Sequence, residues 1–85
     1  MTIQLVFLAR LRERFGVSRE VCALSDDRST VSALLATLRE RGGAFAEELA
    51  QGRVFRVAVN QSVVTLDHPV KAGDEVAIFP PVTGG

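Results

Sequence analysis

Eighty-five residues make a single domain with a modest core, near the size at which folding needs neither disulfide nor metal yet has little stability to spare. Ten basic and ten acidic residues cancel, so no net field draws the chain to nucleic acid or anionic lipid, and an apolar fraction of 47% excludes intrinsic disorder. The lone cysteine, Cys22, rules out an internal disulfide framework and suits a reducing compartment.

Ile3 to Leu8 is an apolar run with β-branched members and reads as a strand. The apolar stretch gives way to Arg10 and Arg12 too early to cross a membrane, and no small-residue cleavage site follows, so the cytoplasm is the expected location. A short helix is expected over Ala9 to Phe15, closed by Gly16 as a C-cap. Ser18 to Leu24 alternates and reads as a second strand, antiparallel to the first. Ser25-Asp26-Asp27-Arg28-Ser29 is a loop whose short polar side chains bond their own backbone. Thr30 then caps the clearest helix, in which Val31, Leu34, Leu35 and Leu38 form one apolar stripe. Arg39, Glu40 and Arg41 end it and Gly42-Gly43 terminates it. Ala44 to Ala50 reads as a further turn or two carrying Phe45 and Leu49, and Gln51-Gly52-Arg53 breaks it. Strands are expected at Val54 to Val59 and Ser62 to Leu66 around a turn at Asn60-Gln61. Pro69 to Gly73 is turn chemistry, and a last strand runs from Glu75 to Phe79. This order predicts an α+β chain: a mixed sheet of about five strands with one main helix on one face, the β-grasp or ubiquitin-like arrangement. Residues 1–79 form the expected domain and 80–85 an extended tail.

Strand alternation separates a core face from a free face. Ile3, Leu5 and Phe7 share one side of the first strand, and Gln4 marks Val6 and Leu8 as lying on the other. In the last strand Val76 and Ile78 share a side, while Glu75 marks Ala77 and Phe79 as outward. Leu8 and Phe79 are therefore expected on the solvent face, with Val63 or Val64 as a neighbour. Grouped apolar side chains there suggest a partner surface.

The tail carries the chemistry. Val82-Thr83-Gly84-Gly85 follows Pro80-Pro81, whose fixed φ favours an extended stalk. From Pro80 to Gly85 the reach is about 20 Å, beyond the radius of a domain this size. A carboxylate on Gly85, with a pKa near ~3.5, is ionised at neutral pH and attacks an activated phosphate without a general base. Glycines at positions 84 and 85 leave no Cβ near that carbon, so the backbone can thread a narrow slot. Nothing else in the chain competes as a catalyst. Cys22 lies mid-strand without an activating neighbourhood and reads as a half-buried thiol, and His68 sits in the turn Asp67-His68-Pro69. One Cys and one His cannot build a structural zinc site. Gly42-Gly43 is a helix stop rather than a phosphate loop, and Arg10, Arg12, Arg14 and Arg19, interspersed with Glu13 and Glu20, read as solvated rim charge.

Ala58-Val59-Asn60-Gln61, Asp67-His68-Pro69-Val70, Gly73-Asp74-Glu75-Val76-Ala77 and Phe79-Pro80-Pro81-Val82-Thr83-Gly84-Gly85 resemble the small subunits of molybdopterin synthase, the MoaD-type sulfur carriers of the MoaD/ThiS ubiquitin-like family. The resemblance spans the chain and is strongest from Ala58 onward; residues 9–53 fit in pattern alone. It implies that a ubiquitin-activating-like adenylyltransferase uses ATP to adenylate Gly85, and that a sulfur donor then converts the acyl-adenylate to a thiocarboxylate. Pro80, Pro81, Val82, Thr83 and Gly84 would thread the tail into the large subunit of a heterotetramer of two small and two large chains. There the sulfur would pass to cyclic pyranopterin monophosphate. The resemblance implies no cofactor bound by this chain, ATP belonging to the activating partner, and no nucleic-acid or membrane partner. It maps the docking face onto Leu8, Val63 and Phe79, with Leu8 standing where the family leads one to expect a bulkier aromatic. Carriers for thiamine thiazole, tRNA thiolation or protein conjugation share Gly-Gly but usually lack the Phe-Pro-Pro-Val-Thr lead-in. A ubiquitin-like interaction module without carrier chemistry is the alternative of a different class. A free-standing enzyme is least supported, for want of a nucleophile and base.

Overall fold

In a computed structural model that describes residues 1–81, the two strands farthest apart in sequence lie side by side. β1 (Thr2–Phe7) pairs in parallel with β5 (Glu75–Phe79), from Gln4 opposite Glu75 to Phe7 opposite Ile78. β2 (Arg19–Ala23) runs antiparallel to β1 on its other side. β3 (Arg56–Val59) runs antiparallel to β5, and β4 (Ser62–Val64) closes the sheet in the order β2-β1-β5-β3-β4. This is the mixed five-stranded sheet of a β-grasp fold.

Helix α2 (Val31–Arg39) covers one face of that sheet. Its stripe of Val31, Leu34, Leu35 and Leu38 is fully buried in one cluster with Ile3, Leu5 and Phe7 of β1 and Val76 and Ile78 of β5. The helix starts at Thr30 because the Thr30 hydroxyl accepts the amide of Ala33 at 3.1 Å. The carbonyls of His68 and Leu66 accept the amides of Val31 and Ser32, at 3.0 and 2.8 Å, so the loop before β5 satisfies donors that the helix cannot. That explains why β4 stops at Val64 rather than reaching Leu66: the chain turns there to cap α2. β3 is likewise shorter than expected, since β5 ends opposite Arg56 and leaves Val54 and Phe55 without a strand partner.

Two shorter helices complete the layer, α1 (Ala9–Phe15) and α3 (Gly43–Glu48). Gly16 closes α1 in the left-handed conformation, its amide reaching the Arg12 carbonyl at 3.0 Å. The expected stop at Gly42-Gly43 needs amending. α2 already ends at Arg39 with Glu40 as its C-cap, whereas Gly42 is the N-cap of α3 and Gly43 its first residue, and both glycines adopt positive φ at a sharp change of direction.

The β3–β4 hairpin turns at Asn60 and Gln61, both with positive φ (49° and 72°), as a two-residue hairpin loop demands. Asn60 has a second task. Its amide nitrogen donates to Asp74 at 3.0 Å and its amide oxygen accepts the Glu75 amide at 3.1 Å. The buried Asp74 carboxylate also accepts the Lys71 amide at 2.8 Å. These bonds fasten the hairpin to the turn that starts β5. The Lys71 amide, followed by the Asn60 amide, holds the Asp74 carboxyl below its usual range against the opposing effect of burial. A depressed carboxyl pKa stabilises the fold fully above the unfolded value of about 3.9, and that contribution is lost as pH falls through the folded value. Asp74→Ala should therefore lower stability by about 2 kcal/mol at pH 7, measured by urea unfolding, with the deficit shrinking as pH falls below the unfolded value of about 3.9.

Candidate functional site

The sheet face opposite α2 is assembled by register. Val6 of β1 stands opposite Ala77 of β5, Ala77 opposite Ala58 of β3, and Ala58 opposite Val63 of β4, which gives one apolar row across four strands. The middle of the row is low because both central residues are alanines. Ala58 points away from the helix yet is 6% exposed, sunk between larger neighbours. Around it rise Val63, 65% exposed, and Leu8, 42% exposed. Register also decides between the two valines of β4: Val64 packs against the core and Val63 faces out.

Leu8 and Phe79 meet at one end of this face. The parallel ladder continues one step past β1, with the Leu8 amide donating to the Ile78 carbonyl at 3.2 Å. Phe79, half-buried rather than fully presented, stands beside Arg56 as its cross-strand partner. Val63 is two strands away from Phe79 and two residues out of line with it, about 12 Å by ordinary strand geometry. Pro80 and Pro81 follow β5 and are themselves half-buried. Val82, Thr83, Gly84 and Gly85, the remaining residues assigned to the tail, lie outside the described residues.

The end of the sheet from which the tail leaves is braced from below. Phe7, Phe15 and Phe45 form an aromatic triplet, with Phe15 stacked on Phe45 at 4.2 Å and edge-on to Phe7 at 4.8 Å. Beside it the Glu48 carboxylate, 5% exposed, receives Arg10 at 2.8 Å, Arg14 at 3.0 Å and Arg53 at 3.2 Å. Burial alone would raise the Glu48 pKa, but hydrogen bonds from Arg14 and Arg53 and the charge of Arg10 hold it below the usual range. Arg10 and Arg14 therefore clip α1 to α3, a role that their exposed sequence context does not reveal. The one available signal is Glu48 itself, a carboxylate three residues after Phe45 on the apolar side of α3. Arg19 pairs with Glu75 at 3.2 Å across the free face, an exposed contact of small energetic weight.

The two side chains set aside as catalysts sit elsewhere. Cys22 is 5% exposed, more deeply buried than expected, and burial pushes its thiol up, with Arg41 opposing and Glu20 adding to the rise. His68 contributes its backbone carbonyl to the start of α2.

One helix grasped by a sheet whose first and last strands run parallel beside each other defines the ubiquitin-like β-grasp class. The chain belongs to the ThiS family, whose model matches residues 5–85. Two curated relatives are molybdopterin synthase sulfur carrier subunits. The one from Escherichia coli is 44% identical over 98% of this chain and 99% of its own length. The one from Haemophilus influenzae is 41% identical over the same shares. Among solved structures, SAMP1 of Haloferax volcanii superposes with a TM-score of 0.81 at 28% identity, covering 100% of both chains. One chain of the protein–protein complex of subunits 1 and 2 of the molybdopterin-converting factor from Helicobacter pylori matches with a TM-score of 0.69 at 26% identity, covering 100% of this chain and 100% of that one.

Strand parity makes a stability prediction. Ile78→Ala empties a fully buried position and should lower unfolding free energy by about 2–4 kcal/mol, whereas Phe79→Ala on the outer face should lower it by less than about 1.5 kcal/mol. Chemical denaturation of the pair checks this; an inverted ranking would overturn the assignment of faces.

Proposed function

We propose that the chain is the sulfur carrier of molybdenum cofactor biosynthesis, the small subunit of molybdopterin synthase, with the Gly85 carboxylate as its reacting group. The observation that carries this reading is the near-full-length identity to carriers of that name, with the family match running to residue 85. The outer face adds physical support, because its apolar row and the base of the tail are continuous through Phe79.

In the proposed cycle the Gly85 carboxylate oxygen attacks the α-phosphate of ATP on an adenylyltransferase, releasing pyrophosphate. A donor of sulfide-level sulfur then displaces AMP and leaves a thiocarboxylate. The outer face, through Leu8, Val63 and Phe79, docks on the large subunit, and Pro80, Pro81, Val82, Thr83 and Gly84 carry the sulfur into its active site. There the sulfur passes to cyclic pyranopterin monophosphate, and water cleaves the acyl–sulfur bond and supplies the oxygen that restores the Gly85 carboxylate. Two small and two large chains make up the proposed assembly. The chain holds no cofactor of its own in this cycle. The reaction is assigned to the cytoplasm, where reducing conditions preserve both thiocarboxylate and thiol; among the described residues no helix is long and apolar enough to cross a membrane.

Incubation with ATP, the adenylyltransferase and a sulfur source should raise the intact mass by about 16 Da, one oxygen exchanged for sulfur. Deleting Gly85 or adding a residue after it should abolish that gain without altering the fold. Phe79→Ala should weaken association with the large subunit by about 2 kcal/mol. Gly84→Ala should still associate, yet charge or transfer sulfur at least about tenfold more slowly, since a methyl in the channel displaces the reacting atom. Unchanged transfer by a chain extended past Gly85, with no protease present, would refute the assignment of the carboxylate.

A further inference from the structure

The neutral chain is electrically lopsided. Asp26, Asp27 and Asp74 gather at the end of the sheet where β1 and β5 begin. Arginines dominate the opposite end, where α1, the start of β3 and Pro80 lie. Those of the Glu48 clip are already engaged, and two others are not. Among the described residues Arg12 makes no ion pair or side-chain hydrogen bond, and Arg56 reaches only the carbonyl of its neighbour Phe55, at 3.3 Å. Both are exposed. Each stands next to one apolar residue of the docking face. Arg12 lies one helical turn beyond Leu8, and Arg56 is the cross-strand partner of Phe79.

We propose that Arg12 and Arg56 form a cationic bracket around the base of the tail, received by carboxylates that rim the tail channel of the large subunit. This inference rests on the proposed function and adds the chemistry of the partner's rim. An uncommitted, hydrated guanidinium at the edge of an apolar patch contributes little to its own fold, yet it speeds encounter with an opposite charge and fixes orientation. The lopsided charge turns the tail end toward an acidic rim before contact, which a net charge of zero does not achieve by itself. A protein rim fits better than a nucleic-acid backbone, because Glu13 and Glu47 interrupt the basic end and would repel continuous phosphates.

The test is stopped-flow association of the full chain with its cognate large subunit at rising salt. At about 50 mM salt, Arg12→Glu and Arg56→Glu should each slow association about tenfold, the glutamine variants less, and at about 500 mM the differences should shrink below about twofold. Lys71→Glu, the same charge change at the far end, should leave the rate within about twofold of the unaltered chain. Circular dichroism of each variant keeps misfolding from mimicking the effect. Salt-independent association with unchanged rates in both reversals would overturn the bracket while leaving the functional reading intact. Reversals that abolish binding to tRNA but spare the large subunit would overturn it in favour of a nucleic-acid partner. Failure of the unaltered chain to bind the large subunit at all would refute both.

Discussion

Everything in this molecule hangs on the parallel ladder between β1 and β5. Parallel neighbours need a long crossover, so the rest of the chain is in effect the connection between them, and α2 is packed under the pair by that connection. The ladder also sets phase. Leu5 faces Val76 and Phe7 faces Ile78, so the core sides of the two strands coincide and their outward sides coincide too. Because parallel strands end together, Leu8 and Phe79 emerge at the same place, and the tail leaves from the heart of the sheet rather than from a frayed edge.

That placement separates two physical tasks. The buried cluster under α2 supplies stability, while in the proposed function the free face supplies contact area. A carrier that hands its reactive end to other proteins requires this division, since the group that reacts must be able to leave its own domain. The Asn60–Asp74 network and the Glu48 clip belong to the stabilising half. Each centres on a buried carboxylate that draws at least one partner from a distant segment, Asn60 for Asp74 and Arg10 and Arg14 for Glu48.

How much of this could be read from the residues depended on whether the deciding interaction was local. The stripe of α2, its Thr30 cap, the Gly16 cap of α1 and the limits of β5 are written in neighbouring residues, and they agree with the structure. Outward placement of Leu8 and Phe79 followed from alternation alone. The length of β4 did not, because Leu66 looks like a strand residue until α2 arrives to claim its carbonyl. Gly43 looked like part of a stop for the same reason: the helix that it opens is held by packing against Phe7 and Phe15. Arg10 and Arg14 of α1 read as solvent charge because their shared partner, Glu48, is more than thirty residues away.

The burial of Cys22 has a bearing on how a charged carrier survives. A thiocarboxylate is a soft nucleophile, prone to oxidative coupling with any thiolate within reach. This chain contains a single thiol, and it is enclosed in the helix-facing layer with its ionisation suppressed. In the proposed function, a thiocarboxylate at Gly85 would therefore meet no exposed thiol of its own chain. An alkylating reagent at neutral pH would mark the delivered sulfur and spare the protein's own, making the loaded and empty forms chemically separable.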